Sequence, residues 1–382
     1  MTASARPKLI FLVSEDWYFW SHRLPMARAA RAAGFDVAVA TRIAAHGERI
    51  RQEGFALHAL HWRREQLGPW ASVAAIAEIY RLYRRERPRI VHHVALKPAL
   101  LGGIAARLAR VPAVVSMIAG TGYGGVDKRW HVRAISASLR FLWPALLLRR
   151  NCRVIVQNDE DRLAIAALRP HSADRIVVIR GSGVDLDHFG PLPEPPAPPI
   201  VVAYVGRMIA IKGVALIVAA QQGLRNRGVE VRLTLAGKPD PSNPTSLDGD
   251  QLAGWAKLPG IAWLGHQDDV RAVWATAHIA VLASLGGEGL PKTLLEAAAI
   301  GRPIVATDVP GTRDIARAGV NALLVRSGDS VALAAAIEQL AGDRALRRRF
   351  AEAGRRLVER EYSDHAVEAA TAALYRSLMP SG

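Results

Sequence analysis

Short runs rich in branched apolar residues recur along this chain between longer Ala-, Leu- and Arg-rich segments, and the rhythm plays through twice. The first series is LIFLV (9–13), VAVAT (37–41), IVHHVA (90–95), AVVSMIA (113–119), VIVQ (154–157) and IVVI (176–179). The second starts at IVVAYVG (200–206) and continues through VRLTLAG (231–237), IAWLG (261–265), IAVLAS (279–284), PIVATD (303–308) and ALLV (322–325). Near-continuous apolar strands alternating with helical lengths specify parallel sheets covered on both faces. The expectation is two Rossmann-like, doubly wound α/β domains facing across a cleft, and 382 residues are enough for both. Between the series lies FGPLPEPPAPPI, whose prolines sustain neither helix nor central strand, so it reads as a stiff linker. The predicted divisions are a first domain 1–188, a linker 189–200, a second domain 201–362 and a closing helix 363–382 able to cross back to the first. Val331 to Leu378 carries helical spacing without a strand signal.

Doubly wound domains bind ligands at the carboxyl ends of their strands, and the segments richest in chemistry fall there. SLGGEGLPKTLLEAAAIGRPIVATDVPGTRDI (284–315) runs from a strand end through glycines to Pro291 and a helix. Free N–H groups and the helix dipole at such a junction suit a phosphate. Glu288 precedes the helix and Glu296 lies within it; carboxylates there suit vicinal hydroxyls, as on a ribose or a sugar ring. In YVGRMIAIKGV (204–214) a strand ends at Gly206, and Arg207 and Lys212 follow. An arginine fork and a lysine point charge can grip a diphosphate and stabilise it as it departs.

Together, GRMIAIKG and EGLPKTLLEAAAIGRPIVATDVPGTRD resemble the donor-site signature of retaining GT-B glycosyltransferases of family 4, and GSGVDLDHF (181–189) resembles that family's interdomain segment. SEDWYFWSHRLPMARAARAAGFDVAVAT and HHVALKPALLGGIAARLARVPAVV resemble the subgroup that extends polyprenyl-diphosphate-linked saccharides, such as bacterial N-glycan and O-antigen galactosyl- or N-acetylgalactosaminyltransferases. Carried onto matching positions, the resemblance implies that Arg207 and Lys212 hold a nucleotide diphosphate, Glu288 the transferred sugar and Glu296 the ribose diol. The backbone of Gly289, Leu290 and Pro291 then lines the phosphate pocket beside Gly206. It also implies a UDP-linked sugar donor, retention of configuration and no required metal. Two D-x-D candidates, Asp185-Leu186-Asp187 and Asp248-Gly249-Asp250, read as turns.

The resemblance has one departure. Many family members carry a His or Glu where this chain has Ala119; His92, His93 and His131 are candidates to replace it. His22 and Arg23 after the first strand, with Lys97 after the third, are expected to meet the acceptor diphosphate. Gly120 and Gly122, part of GTGYGG, read as a flexible cleft loop on the acceptor side. These glycines also fit G-x-G-x-x-G, yet no acidic residue follows at the distance a dinucleotide ribose needs, so an NAD site is not expected.

Charge points to the remaining partner. Residues 1–150 hold 24 Lys and Arg against 9 Asp and Glu, a net of +15, whereas 151–382 hold 26 against 25, a net of +1. The excess suits an anionic membrane surface. So does a stripe of Val132, Ile135, Leu139, Leu142 and Leu146 between basic residues. The aromatic cluster Trp17-Tyr18-Phe19-Trp20 reads as further surface for such contact. No recognition module accompanies the charge, so nucleic acid is not an expected partner. MTASARPKLIFLV turns polar at Ser14 and reads as a first strand rather than a leader. A single cysteine, Cys152, fits a reducing compartment, and the expected location is the cytoplasmic face of the membrane, held peripherally. A family member with a soluble acceptor, a GT-B epimerase and a basic nucleic-acid-binding protein stay open as alternatives.

Overall fold

A computed structural model describes residues 6–62, 68–118, 148–168, 170–241, 243–286 and 288–379. The expectations for Ala119, Gly120, Gly122, His131 and the stripe from Val132 to Leu146 lie outside the described residues.

The chain divides into two units, Met1–Ser182 with His365–Gly382, and Gly183–Asp364. In the first, β1 (Lys8–Glu15), β2 (Asp36–Arg42), β3 (Ala56–Ala59), β4 (Ile90–Val94), β5 (Ala113–Met117), β6 (Cys152–Val156) and β7 (Ile176–Val178) pair in the order β3-β2-β1-β4-β5-β6-β7. Every pairing is parallel. Alternate residues of β1 serve opposite faces, as the pleat demands. Leu9, Phe11 and Val13 pack with Phe19, Met26 and Tyr375; Ile10 and Leu12 pack with Ile79, Leu82, Tyr83 and Leu101. Tyr375 comes from the helix Asp364–Ser377, so residues distant in sequence complete this core. β3 was not expected: ALHA is short, half-exposed and at the sheet edge, with too little apolar signal to register.

The second unit repeats the plan with β8 (Ile200–Val205), β9 (Val231–Ala236), β10 (Ile261–Trp263), β11 (Ile279–Leu282), β12 (Ile304–Thr307) and β13 (Ala322–Val325), ordered β10-β9-β8-β11-β12-β13 and all parallel. One apolar core runs through it, from Tyr204 and Leu235 to Trp274, Leu294 and Phe350. In each unit the strand order reverses beside the first strand, at β1/β4 and at β8/β11. Loops leaving neighbouring strands there diverge and open a crevice above the sheet.

The proline-rich stretch 189–200, expected as a linker, is strapped to the second unit. Leu192 N–H donates to Ile300 O (3.0 Å), and the buried Arg302 guanidinium donates to Leu192 O (3.1 Å), Pro193 O (3.0 Å) and Trp274 O (2.8 Å). Glu194 pairs with Arg344 and with the buried Arg347. Prolines lack the N–H that would draw a strand partner, so their carbonyls turn to arginine donors. Burial lowers the Arg302 pKa to about 10, leaving it cationic at neutral pH. The unit boundary accordingly falls at Gly183, ahead of the prolines.

Candidate functional site

In the second unit the loops after β8 and β11 leave adjacent strands at the switch point. Gly206 follows β8 directly, with its N–H on Ala236 O (2.9 Å). Arg207 follows, its carbonyl accepting from the buried Tyr204 hydroxyl (2.8 Å) and its Nη1 on Asp240 Oδ2 (2.7 Å). A short 3₁₀ turn, Ala210–Lys212, lifts Lys212, and Gly213 at φ +69° starts the helix Val214–Asn226. Only glycine serves at Gly213, because a Cβ would be driven into the Ala283 carbonyl just past β11. That close approach, with Leu285 N–H on Ile211 O (2.8 Å), locks the two loops together.

The locking puts Lys212 Nζ 2.6 Å from Glu288 Oε1 and 2.8 Å from Oε2, and the buried Ser284 hydroxyl donates to Glu288 Oε1. Glu288 is only 8% exposed, so a cation and a hydroxyl compensate a carboxylate removed from water. Gly289 and Leu290 lead to Pro291, which stands just outside the helix Lys292–Ile300 as its N-terminal boundary, with no side-chain cap on the first turn. Gly289 O is met by Gly311 at φ +77°, where a Cβ would collide with it. One turn into the helix Glu296 is buried, and that burial raises its pKa to about 7, partly offset by Lys292 Nζ at 3.9 Å.

This raised pKa has a consequence for stability. Proton binding favours the folded state, so the contribution is complete below the ordinary carboxylate value and declines as pH rises to about 7. The decline amounts to about 3 kcal/mol. Glu296→Gln stays neutral and is expected to remove that decline, standing about 2–3 kcal/mol above the wild type at pH 8 and level with it at pH 4. Thermal unfolding of both proteins at the two pH values checks this; parallel pH profiles would contradict it.

The structure thus brings Lys212 and Glu288 into direct contact, places Arg207 on the same loop in a separate pair, and sets Glu296 deeper on the helix. Sequence reasoning missed Asp240 and Ser284. Ser284 sits at the end of a recognised strand run; Asp240 follows β9 in GKPDPSNP, where a strand-end rule points. Both D-x-D candidates are local structure: Asp185 Oδ1 accepts from Asp187 N (3.0 Å) and His188 N (2.9 Å), and Asp248 caps the helix Gly249–Ala256.

The first unit's candidates fare unevenly. His22 ends the helix Asp16–His22, stacked on Tyr18 with ring centroids 4.4 Å apart and its Nδ1 2.6 Å from Ser21 Oγ. Lys97 opens the helix Leu96–Leu108 with its Nζ 5.1 Å from the Trp62 ring centre. Arg23, expected at the acceptor phosphate, is fully buried. Its Nη2 donates to Tyr18 Oη (3.1 Å), while Nε and Nη1 have no partner among the described residues. The helix that starts at Leu24 turns Arg23 inward, towards His92 and Tyr375.

Neither His92 nor His93 is an exposed sugar contact. His92 Nδ1 is hydrogen-bonded to Tyr375 Oη (2.6 Å) and His93 Nε2 to Tyr83 Oη (3.0 Å). Burial holds both neutral, His92 well below the usual histidine range with Arg23 adding to the effect, and His93 at about 3. The aromatic cluster also turns inward: Phe19 is core, and Trp17, Tyr18 and Trp20 are half-buried, Trp20 under Arg49. No helix among the described residues is long and apolar enough to cross a membrane.

Comparison with known proteins bears on the fold and the family. The "Glycosyl transferase 4-like" family matches residues 8–143, and "Glycosyl transferases group 1" matches residues 199–343. The capsular polysaccharide biosynthesis glycosyltransferase CapM of Staphylococcus aureus is 21% identical over 349 residues, 88% of this chain and 89% of its own. The UDP-Gal:alpha-D-GlcNAc-diphosphoundecaprenol alpha-1,3-galactosyltransferase of Escherichia coli is 24% identical over 285 residues, 71% of each chain. Among solved structures, Anabaena HepE in complex with UDP and glucose superposes with a TM-score of 0.74 at 16% identity, covering 97% of this chain and 100% of that one. Each unit answers to its own half of one two-domain plan, and the chain belongs to the group 1, 4-like family of GT-B glycosyltransferases.

Proposed function

We propose that this protein is a retaining hexosyltransferase that moves a hexose or N-acetylhexosamine from a UDP-sugar to a polyprenyl-diphosphate-linked saccharide during cell-surface polysaccharide assembly. The observation that carries it is the Lys212–Glu288 pair beside Arg207, above the switch point of the second sheet. A diphosphate arriving there draws Lys212 towards itself and frees Glu288 to accept hydroxyl protons of the sugar ring. Arg207 adds the second cation, and Glu296 accepts from the ribose diol, which favours its ionised form. As the anomeric C–O bond to the diphosphate breaks, the acceptor oxygen bonds to that carbon on the same face. The acceptor proton passes to a departing phosphate oxygen. Two cations beside the diphosphate supply the charge that a metal would otherwise bring.

The diphosphoundecaprenol-linked acceptor of the Escherichia coli galactosyltransferase supports the lipid-linked acceptor, and HepE's bound UDP supports the donor class. A location on the inner face of the cytoplasmic membrane follows from the acceptor, and the first unit carries a surface suited to it. Helix Leu96–Leu108 exposes Leu96, Ile104 and Leu108 at four-residue multiples, with Arg107 and Arg110 alongside. The neighbouring helix Pro69–Glu86 exposes Trp70 (84%) and Val73. Exposed apolar side chains together with exposed arginines suit the boundary of an anionic lipid layer.

The test is nucleotide release from UDP-, GDP- and ADP-sugars with and without a polyprenyl-diphosphate-saccharide extract, beside sedimentation with phosphatidylglycerol vesicles. Release with one UDP-sugar that requires the lipid, and vesicle binding weakened about tenfold by Trp70→Ser with Leu108→Ser, are expected. Release that ignores the lipid would move the soluble-acceptor reading ahead. A covalent sugar adduct on the protein would overturn the same-face step.

A further inference from the structure

Beside the loop that carries Arg207 and Lys212 runs a second loop, residues 237–247, which the function above does not use. The two are bound backbone to backbone. Met208 N–H donates to Lys238 O (3.0 Å), Leu247 N–H to Met208 O (2.9 Å) and Ala210 N–H to Thr245 O (2.6 Å). Described residues of the second loop are tied to one another: buried Asn243 takes Thr245 N–H (2.9 Å) and Thr245 Oγ1 (2.8 Å) on its Oδ1, and Asp240 N–H donates to Ser246 Oγ (3.0 Å). A loop needed only to close the sheet end could stop at these bonds. This one also aims a carboxylate at a guanidinium.

The geometry of that contact is informative. Asp240 Oδ2 meets one nitrogen of Arg207, Nη1, at 2.7 Å, rather than both prongs of the fork. The other guanidinium nitrogens hold no hydrogen bond among the described residues, and the side chain is 39% exposed against 15% for Asp240. As a stabilising ion pair a contact this wet counts for little. As a restraint it counts for more, because a free arginine on a loop spreads over many rotamers and loses that freedom when it binds. Tyr204, whose hydroxyl donates to Arg207 O (2.8 Å), fixes the backbone at the same residue.

We propose that Asp240 is the positioning residue of the donor site: held by the 237–247 loop, it fixes one nitrogen of Arg207 so that the open side of the guanidinium is presented to the nucleotide diphosphate. This rests on the donor-binding reading of Arg207 given above. The proposal makes Asp240 act through Arg207 and not on the nucleotide, so the two residues must be coupled. A carboxylate that merely lowered the site's positive potential would have the opposite signature, since its removal would tighten diphosphate binding.

The experiment is a double-mutant cycle of Asp240→Ala and Arg207→Gln, read by UDP titration calorimetry, with GDP and ADP alongside, and by kcat and KM with the preferred donor. Asp240→Ala is expected to weaken UDP binding by about threefold to tenfold and to lower kcat/KM by about 10–100-fold, most of it in kcat. In the Arg207→Gln background the same change is expected to do almost nothing. Asp240→Asn, whose side-chain carbonyl still accepts from Nη1, should recover most of the loss, as a purely structural role would not. Should Asp240→Ala fail to fold, Asp240→Ser, too short to reach the guanidinium, replaces it. Equal losses in both backgrounds, or tighter UDP binding by Asp240→Ala, overturn the positioning role while the donor site stands. Wild-type protein that binds none of the three nucleotides overturns the donor reading and the positioning role with it.

Discussion

Glu288→Gln lowers kcat for sugar transfer by about 10²–10³-fold while the protein stays folded. The carboxylate is held by Lys212 through both oxygens and by the Ser284 hydroxyl, so its position is fixed before any ligand arrives. Glutamine keeps the shape, but one oxygen becomes an N–H₂ that faces an ammonium instead of attracting it. Lys212 is then released from its partner, and the sugar hydroxyls lose a charged acceptor. The cost in stability is much smaller, about 1–2 kcal/mol, because the Lys212 side chain is 19% exposed and can turn to water. Nucleotide release under saturating donor, beside a thermal melt, separates the two effects. A loss in kcat below about threefold would take Glu288 out of the reacting centre.

The second large effect is on folding. Gly213→Ala is expected to destabilise the second unit by about 4 kcal/mol or more, near the upper end for a single substitution. Left-handed backbone accounts for about 1–2 kcal/mol of that; the rest comes from forcing a methyl into the Ala283 carbonyl, which cannot retreat without breaking the strand end. Gly228→Ala is the control. Its φ is +79° and no heavy atom lies within 4 Å of the added methyl, so only the conformational share applies, about 1 kcal/mol. Denaturant midpoints for the two variants give the comparison, and equal shifts would show that the approach of the two loops is not what Gly213 secures.

These expectations show what the linear sequence can and cannot carry. The twelve apolar runs located the strands because parallel strands are buried on both faces and write themselves as continuous apolar stretches. ALHA escaped because an edge strand is under no such demand. Glu288, Arg207 and Lys212 were legible as strand-end residues, yet their mutual pairing was not. It depends on β8 and β11 being neighbours and on Gly213 admitting the Ala283 carbonyl. Asp240 joins Arg207 across 33 residues through the β8–β9 register, information that exists only once the sheet is assembled. Arg23 shows the converse. Its place after the first strand was right, but the direction of its side chain is set by the helix beginning at Leu24 and by the His92–Tyr375 pair beneath it. Likewise prolines announced a stiff segment at 189–200, while the carbonyl-seeking arginines that hold it, Arg302 above all, lie a hundred residues away.

The discontinuous make-up of the first unit has a consequence for how the protein is made. Its seven-stranded sheet is complete by β7, yet the buried His92 finds its phenol only when Tyr375 arrives. A ribosome emits all of Gly183–Asp364 in between. The second unit, being one uninterrupted stretch, can therefore mature while the first still waits for Val367, Leu374 and Tyr375 to complete its core and to partner His92. Domains usually finish in the order of their synthesis; here the earlier one cannot close its core until the later one has been made.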